Sequence, residues 1–260
     1  MKIVRYPLAL VFLFAWAIAL RAQASGDLDD LDWQRFPYLH CLDERRTTDE
    51  RISACEAAIK AGRPYDAADA LYELASLYLR DHDYSQALAT ADKYLDRYGR
   101  VSSLPAYQRT VRIAALQSRA IVYAVLGRFD DAMRDETEIA QLDVHETEFR
   151  GDRCQVRAVS GRELDEAIAD CTAALNLEPG SADVLDSRGM AYFKLGRLTD
   201  SLSDYNSALD RDSHYWPSLF MRGVVERRLG DAAAGDADIA KAKARDAGIA
   251  DQMAAFGVAP

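Results

Sequence analysis

Small and apolar side chains return along this chain on a long beat. Gly189 and Gly223 stand 34 residues apart, as do Gly196 and Gly230, Leu195 and Leu229, Arg188 and Arg222, Ala208 and Ala242, and Asp212 and Asp246. Within one beat, Leu185, Gly189 and Tyr192 follow at spacings of four and three, and so do Ser201, Tyr205 and Ala208. Each set therefore lies on one face of a helix. Gly196 separates the two sets and marks a turn. The unit is a pair of helices, which buries its apolar face only by stacking on the next pair. The pattern predicts an all-α solenoid whose core grows with repeat number, and a chain of 260 residues that is 49% hydrophobic is ample for it.

The stretch Arg-Gly-x-Ala-Tyr-x-x-Leu-Gly-Arg from Arg188 to Arg197 is specific enough to carry a resemblance. From Leu31 to the C-terminus the chain resembles a bacterial, exported tetratricopeptide-repeat protein. In that family's register, helix A has a large residue at position 4, a small one at 8 and an aromatic at 11. Helix B has small residues at 20 and 27 and a bulkier one at 24. Laid on the chain, this predicts repeats over 68–101, 113–146, 147–181, 182–215 and 216–249. A degenerate N-terminal hairpin over 25–62 precedes them, a connector or helix extension fills 102–112, and 250–260 is a C-terminal cap whose apolar contacts are Met253 and Phe256. The third repeat is one residue too long, and Glu163 at its turn absorbs the excess, because loops tolerate insertions that helix faces do not. Pro105 suits a first helical turn, so helix A of the second repeat is expected to start near it and run long. The resemblance implies a right-handed superhelix whose concave face, lined by A helices, binds peptide segments or helices of other proteins.

The N-terminus changes the address. Lys2 and Arg5 precede an apolar run of 13 residues from Leu8 to Leu20, and Ala22-Gln23-Ala24 has the spacing of a cleavage site. Residues 1–24 read as a cleaved signal peptide, since the run is shorter than the roughly 20 residues that span a bilayer. Removing it takes three cations and no acids, so the formal charge moves from −10 to −13. A surface this acidic disfavours nucleic acid and anionic headgroups. All four cysteines lie beyond the leader, as expected of an exported protein in an oxidising compartment. In the repeat register Cys154 at position 8 and Cys171 at position 24 face one another, which predicts a Cys154–Cys171 disulfide. Cys55 takes the same helix B position as Cys171, which leaves Cys41–Cys55 as the second. No short Cys-x-x-Cys spacing suggests a metal, and no metal or cofactor is expected.

Two sets of positions compete as sites. Position 7 is Arg in four repeats (Arg119, Arg153, Arg188, Arg222), and position 23 is Asp in the same four (Asp135, Asp170, Asp204, Asp238). The first repeat lacks both, with Leu74 and Thr90. This joint change inside one chain favours structural ion pairs between helices A and B over an anion site. The candidate partner-binding set comes from the concave positions: Tyr72, Leu79, Gln117, Ile121, Asp186, Met190, Phe193, Phe220 and Arg227. Its apolar and acidic mix fits a segment with apolar and basic residues. For Met190, Phe193 and Phe220, packing on neighbouring helices is an equally open reading.

No phosphate loop, nucleophile elbow or zinc-hydrolase spacing occurs, so catalysis is not expected. The function expected is a non-enzymatic interaction scaffold or adaptor of the cell envelope, periplasmic or secreted. The alternative is a structural subunit of a homo-oligomer or envelope assembly, packing through the Ala-rich last helix from Asp231 to Asp246.

Overall fold

The computed structural model describes residues 37–43, 46–61, 67, 70–71, 73–75, 77–78, 81, 83–98, 106–142 and 146–258. The expected leader, and Tyr72 and Leu79 of the candidate set, lie outside them. Regular helices are α1 (Pro37–Cys41), α2 (Thr48–Ala61), α3 (Tyr84–Tyr98), α4 (Ala106–Val125), α5 (Phe129–Ala140) and α6 (Glu146–Ser160). They continue as α7 (Leu164–Leu177), α8 (Ala182–Lys194), α9 (Leu198–Arg211), α10 (Trp216–Leu229), α11 (Ala232–Arg245) and α12 (Ile249–Ala255). No strand occurs among the described residues, and no helix among them is long and apolar enough to cross a membrane.

Four antiparallel hairpins, α4–α5, α6–α7, α8–α9 and α10–α11, stack in sequence order, with α3 against α4. Their first helices also touch one another in series, α4 on α6, α6 on α8 and α8 on α10, so they form one continuous wall. The chain reverses at Gly196 with φ 74°, in the left-handed region that glycine enters at no steric cost. Between α6 and α7 the extra residue shows in the backbone. Glu163 takes φ 50° and ψ 48°, the one non-glycine with positive φ among the described residues. A single left-handed residue thus absorbs the insertion and returns α7 to register.

Small residues set the distance between paired helices, and large ones fill the grooves between pairs. Cys154, Ala167, Cys171, Ala174, Tyr205, Ala208, Phe220 and Met221 are completely buried along the C-terminal half of this core. Disulfides join Cys154 to Cys171, between α6 and α7, and Cys41 to Cys55, between α1 and α2.

Ion pairs brace each hairpin across its mouth. Arg188 donates through Nε and Nη2 to the two carboxylate oxygens of Asp204, both at 2.7 Å, and Arg119 does the same to Asp135 at 2.8 and 2.7 Å. Arg222 donates to Asp238 at 2.6 Å, and Arg153 grips Asp170 with both nitrogens. The third nitrogen of three of these arginines reaches back to the preceding hairpin, to Asp92, Thr172 and Asn206. Planar, bidentate bonding fixes the rotation of helix A against helix B, which is a register device more than a source of net stability.

One acid has no such partner. Glu136 of α5 is 1% exposed, and neither carboxyl oxygen has a hydrogen-bond partner. Burial raises its pKa well above the ordinary value of 4.5, and the charges of Asp152 and Asp135 add to the effect against Arg153 and Arg157. Below the unfolded pKa both states hold the proton and the residue costs nothing extra. As pH rises above it, the unfolded chain ionises while the folded chain keeps the acid, and stability falls until the folded pKa is reached. Glu136→Gln is therefore expected to stabilise the protein by about 1–3 kcal/mol at pH 8 and by little at pH 4. Urea unfolding at the two pH values checks this, and an equal gain at both would refute it.

Candidate partner-binding groove

The wall of first helices closes on a cavity of ≈ 130 Å³. Its sides come from Ser118 and Ile121 on α4, Gln155, Ala158 and Val159 on α6, and Asp186, Ser187 and Met190 on α8. These residues converge because successive A helices lie side by side, so the same helical face is repeated three times. The cavity's lid belongs to the chain itself: Gln252 and Met253 of α12, with Phe256 just beyond it. Helix α12 touches the last hairpin, α10 and α11, and also reaches across the wall, since Phe256 packs on the cluster containing Ile121, Val122 and Val159.

Asp186 is the charged residue among those lining the cavity. Ser218 Oγ donates to it at 2.6 Å, and no ion pair reaches it among the described residues. The residue is half-buried, and burial of its carboxyl pushes its pKa up to about 7 against the pull of the Ser218 hydrogen bond, with the Asp183 charge adding to the effect. Ser118 is 4% exposed, and its Oγ has no hydrogen-bond partner. The lining thus sets a carboxyl held toward its neutral form and the unpartnered Ser118 hydroxyl beside Gln155, Ser187 and the apolar side chains of Ile121, Val159 and Met190.

Of the residues expected to line the concave face, Ile121, Asp186 and Met190 meet in this cavity. Gln117 is tied between α4 and α6 by donating to Asp152. Phe193 and Phe220 do not present to a partner. Phe220 is fully buried, while Phe193 is 5% exposed with the Arg228 guanidinium 4.3 Å over its ring. Both fill the space between hairpins, because a bulky ring at these positions faces the neighbouring pair. Arg227 is exposed, and its Nε lies 3.4 Å from Asp236 of α11, away from the cavity. Sequence reasoning missed Ser118, Gln155 and Ser187, whose small or neutral side chains carry no signal by themselves. It also missed Lys194, which ties α8 to α6 by donating to the Val159 carbonyl at 2.6 Å and whose burial pulls its pKa down to about 8.

A solenoid of helix pairs with a wall of first helices around one groove defines a repeat scaffold, and such stacks use their concave surfaces for binding. A family model of the tetratricopeptide repeat matches residues 52–100, 157–216 and 187–248, together more than half of the chain. The chain belongs to the tetratricopeptide repeat family. Two curated relatives, Hsc70-interacting proteins 1 and 2 of Drosophila melanogaster, are each 36% identical over 80 residues, 30% of this chain. The match spans 21% of their length. Among solved structures, a tetratricopeptide repeat protein from Parabacteroides merdae is 17% identical, with 80% of this chain and 78% of that chain covered and a TM-score of 0.48. BtubC from P. vanneervenii is 15% identical, with 83% and 94% covered and a TM-score of 0.49.

Proposed function

We propose that this chain is an exported, non-enzymatic interaction scaffold of the cell envelope that holds a helical segment of a partner protein against the wall of α4, α6 and α8. The observation that carries the reading is Asp186. A buried carboxyl whose one described partner is the Ser218 hydroxyl is held toward its neutral form, and a ligand cation beside it would restore its charge and add an ion pair. Two disulfides suit an oxidising compartment, in keeping with export through the N-terminal leader. The Drosophila relatives, matched over a stretch of their length, are named for an interaction with another protein.

The test is a titration of the full mature chain with synthetic amphipathic helices that share one apolar face and differ in charge. Those carrying Lys or Arg are expected to bind at least about tenfold tighter than their Glu counterparts, equivalent to about 1.4 kcal/mol. Asp186→Lys should reverse that order. If the preference survives the substitution, the partner does not sit on this wall.

A structural role in a homo-oligomer has one observation of its own. Helix α11 ends the hairpin stack and leaves Ala233, Ala237, Ala240 and Ala244 exposed. A dimer that persists on dilution and is broken by Ala237→Asp, measured by sedimentation, would favour that reading over the groove.

A further inference from the structure

One side of the groove is bordered by the chain's own C-terminus: α12 packs on α10 and α11, and its Gln252 and Met253, with Phe256 beyond, line the cavity. Helix α12 is seven residues long, too short to persist without packing. Ile249 and Met253 are buried at 0% and 2% exposure, and Val258 at 1%. Ile249, Met253 and Phe256 follow the spacing i, i+4, i+7, the pattern by which a free amphipathic helix docks in a groove, and Val258 lies beyond it. The segment hangs from the Asp246–Gly248 turn, and no disulfide or described ion pair fastens it to the wall.

The fit is apolar but incomplete. Between the segment and the floor lies the ≈ 130 Å³ cavity, and the tail leaves Ser118 Oγ without a partner and Asp186 without a cation. Gln252, the polar residue that α12 turns into this cavity, is neutral. A segment with the same apolar spacing and a longer cationic side chain in place of Gln252 would keep every apolar contact and fill the polar gap as well.

We propose that residues 249–258 are an intramolecular occupant of the groove, displaced by a partner helix that repeats their apolar spacing and carries Lys or Arg where Gln252 stands. This rests on the groove being the partner site. It adds that the free protein is held closed by its own C-terminus. A tethered segment competes at an effective concentration in the millimolar range, so only a ligand with better contacts opens it.

The probe is a synthetic peptide of residues 247–260 and its Q252K form, added to the full mature chain. Hydrogen exchange is expected to show the chain's own 249–258 amides speeding up at least about threefold under excess Q252K peptide, with those of α8 and α10 unchanged. The Q252K peptide should bind at least about threefold tighter than the native sequence, and Asp186→Asn should abolish that gain. Releasing the tail with Met253→Asp should tighten peptide binding at least about tenfold. The proposal is overturned if the 249–258 amides exchange only with global unfolding and neither peptide alters them, a result that needs no variant to fold. It is equally overturned if the M253D chain, shown to be folded, does not gain affinity, or if sedimentation shows a dimer with exchanged tails. The two readings fail separately. Partner helices that bind the wild type and M253D equally, and still depend on Asp186, remove the closure but keep the groove. Tail peptides that bind while partner helices do not compete with them remove the partner site but keep the tail in place.

Discussion

Gly235→Ala is expected to lower the unfolding midpoint by about 4–8 °C, although alanine is the better helix former. Alanine in place of glycine inside a helix is worth about 1 kcal/mol in its favour. Against that, a Cβ at 235 would stand 2.4 Å from the Gly223 carbonyl oxygen, 2.6 Å from Arg227 Cγ and 3.0 Å from its backbone nitrogen. The close approach is mutual, since a Cβ on Gly223 would meet the Gly235 carbonyl oxygen at 2.6 Å. Two of these contacts are backbone, so relief requires α10 and α11 to separate. Overpacking of this kind costs about 1–3 kcal/mol and sometimes more, and the backbone contacts put Gly235 at the upper end, about 3 kcal/mol, so a net loss of about 2 kcal/mol remains. For a chain of this size that amounts to a few degrees per kcal/mol. Ala87, Ala132 and Ala167 occupy the equivalent helix B position in other repeats and are buried without penalty. Thermal unfolding of the single variant decides the matter, and a midpoint within about 1 °C of wild type would remove the argument.

Removing the Cys154–Cys171 bridge, by Cys154→Ala with Cys171→Ala, should cost about 3 kcal/mol, the loop-closure entropy of a link of this length. The bonded residues are 17 apart, and both are completely buried. Alanine fits, because position 8 is already Ala120 in the preceding hairpin. The placement enlarges the consequence. Helices α6 and α7 stand in the middle of the stack, and each hairpin contacts mainly its neighbours, so loosening this pair uncouples the two ends. Urea unfolding should shift to lower concentration and broaden. Wild-type protein under reducing conditions should lose at least as much, because the Cys41–Cys55 link opens too. Identical midpoints in oxidising and reducing buffer would show that the bridge constrains nothing.

These two cases differ in where their information lies. Cys154 can be set opposite Cys171, and Arg188 opposite Asp204, from the 34-residue register alone. Such contacts sit within one hairpin and recur with the repeat, so a slip of one residue would break all of them together. The insertion at Glu163 is legible for the same reason, since the positions after it shift together. The cost at Gly235 is not legible, because the register presents position 20 as a place where alanine is usual. Only the last hairpin has glycine at both positions 8 and 20, and only the tertiary packing of α10 on α11 shows that its backbones have used the space.

The groove shows the same division more sharply. By itself the sequence determined an all-helical stack in the tetratricopeptide family, its internal braces and staples, an acidic surface, and the set of helix faces from which a groove is built. Those properties depend on local periodicity and composition. The tertiary structure alone decided that Phe193 and Phe220 belong to the core, that Glu136 is sealed in without a partner, and that Ile121, Asp186 and Met190 share one cavity. It also decided that Met253 and Phe256 of the C-terminal segment line that cavity while α12 packs against the last hairpin. The reason is that these outcomes depend on small rotations between successive hairpins. Summed over the stack, those rotations bring α4 within reach of a helix that begins more than 100 residues later.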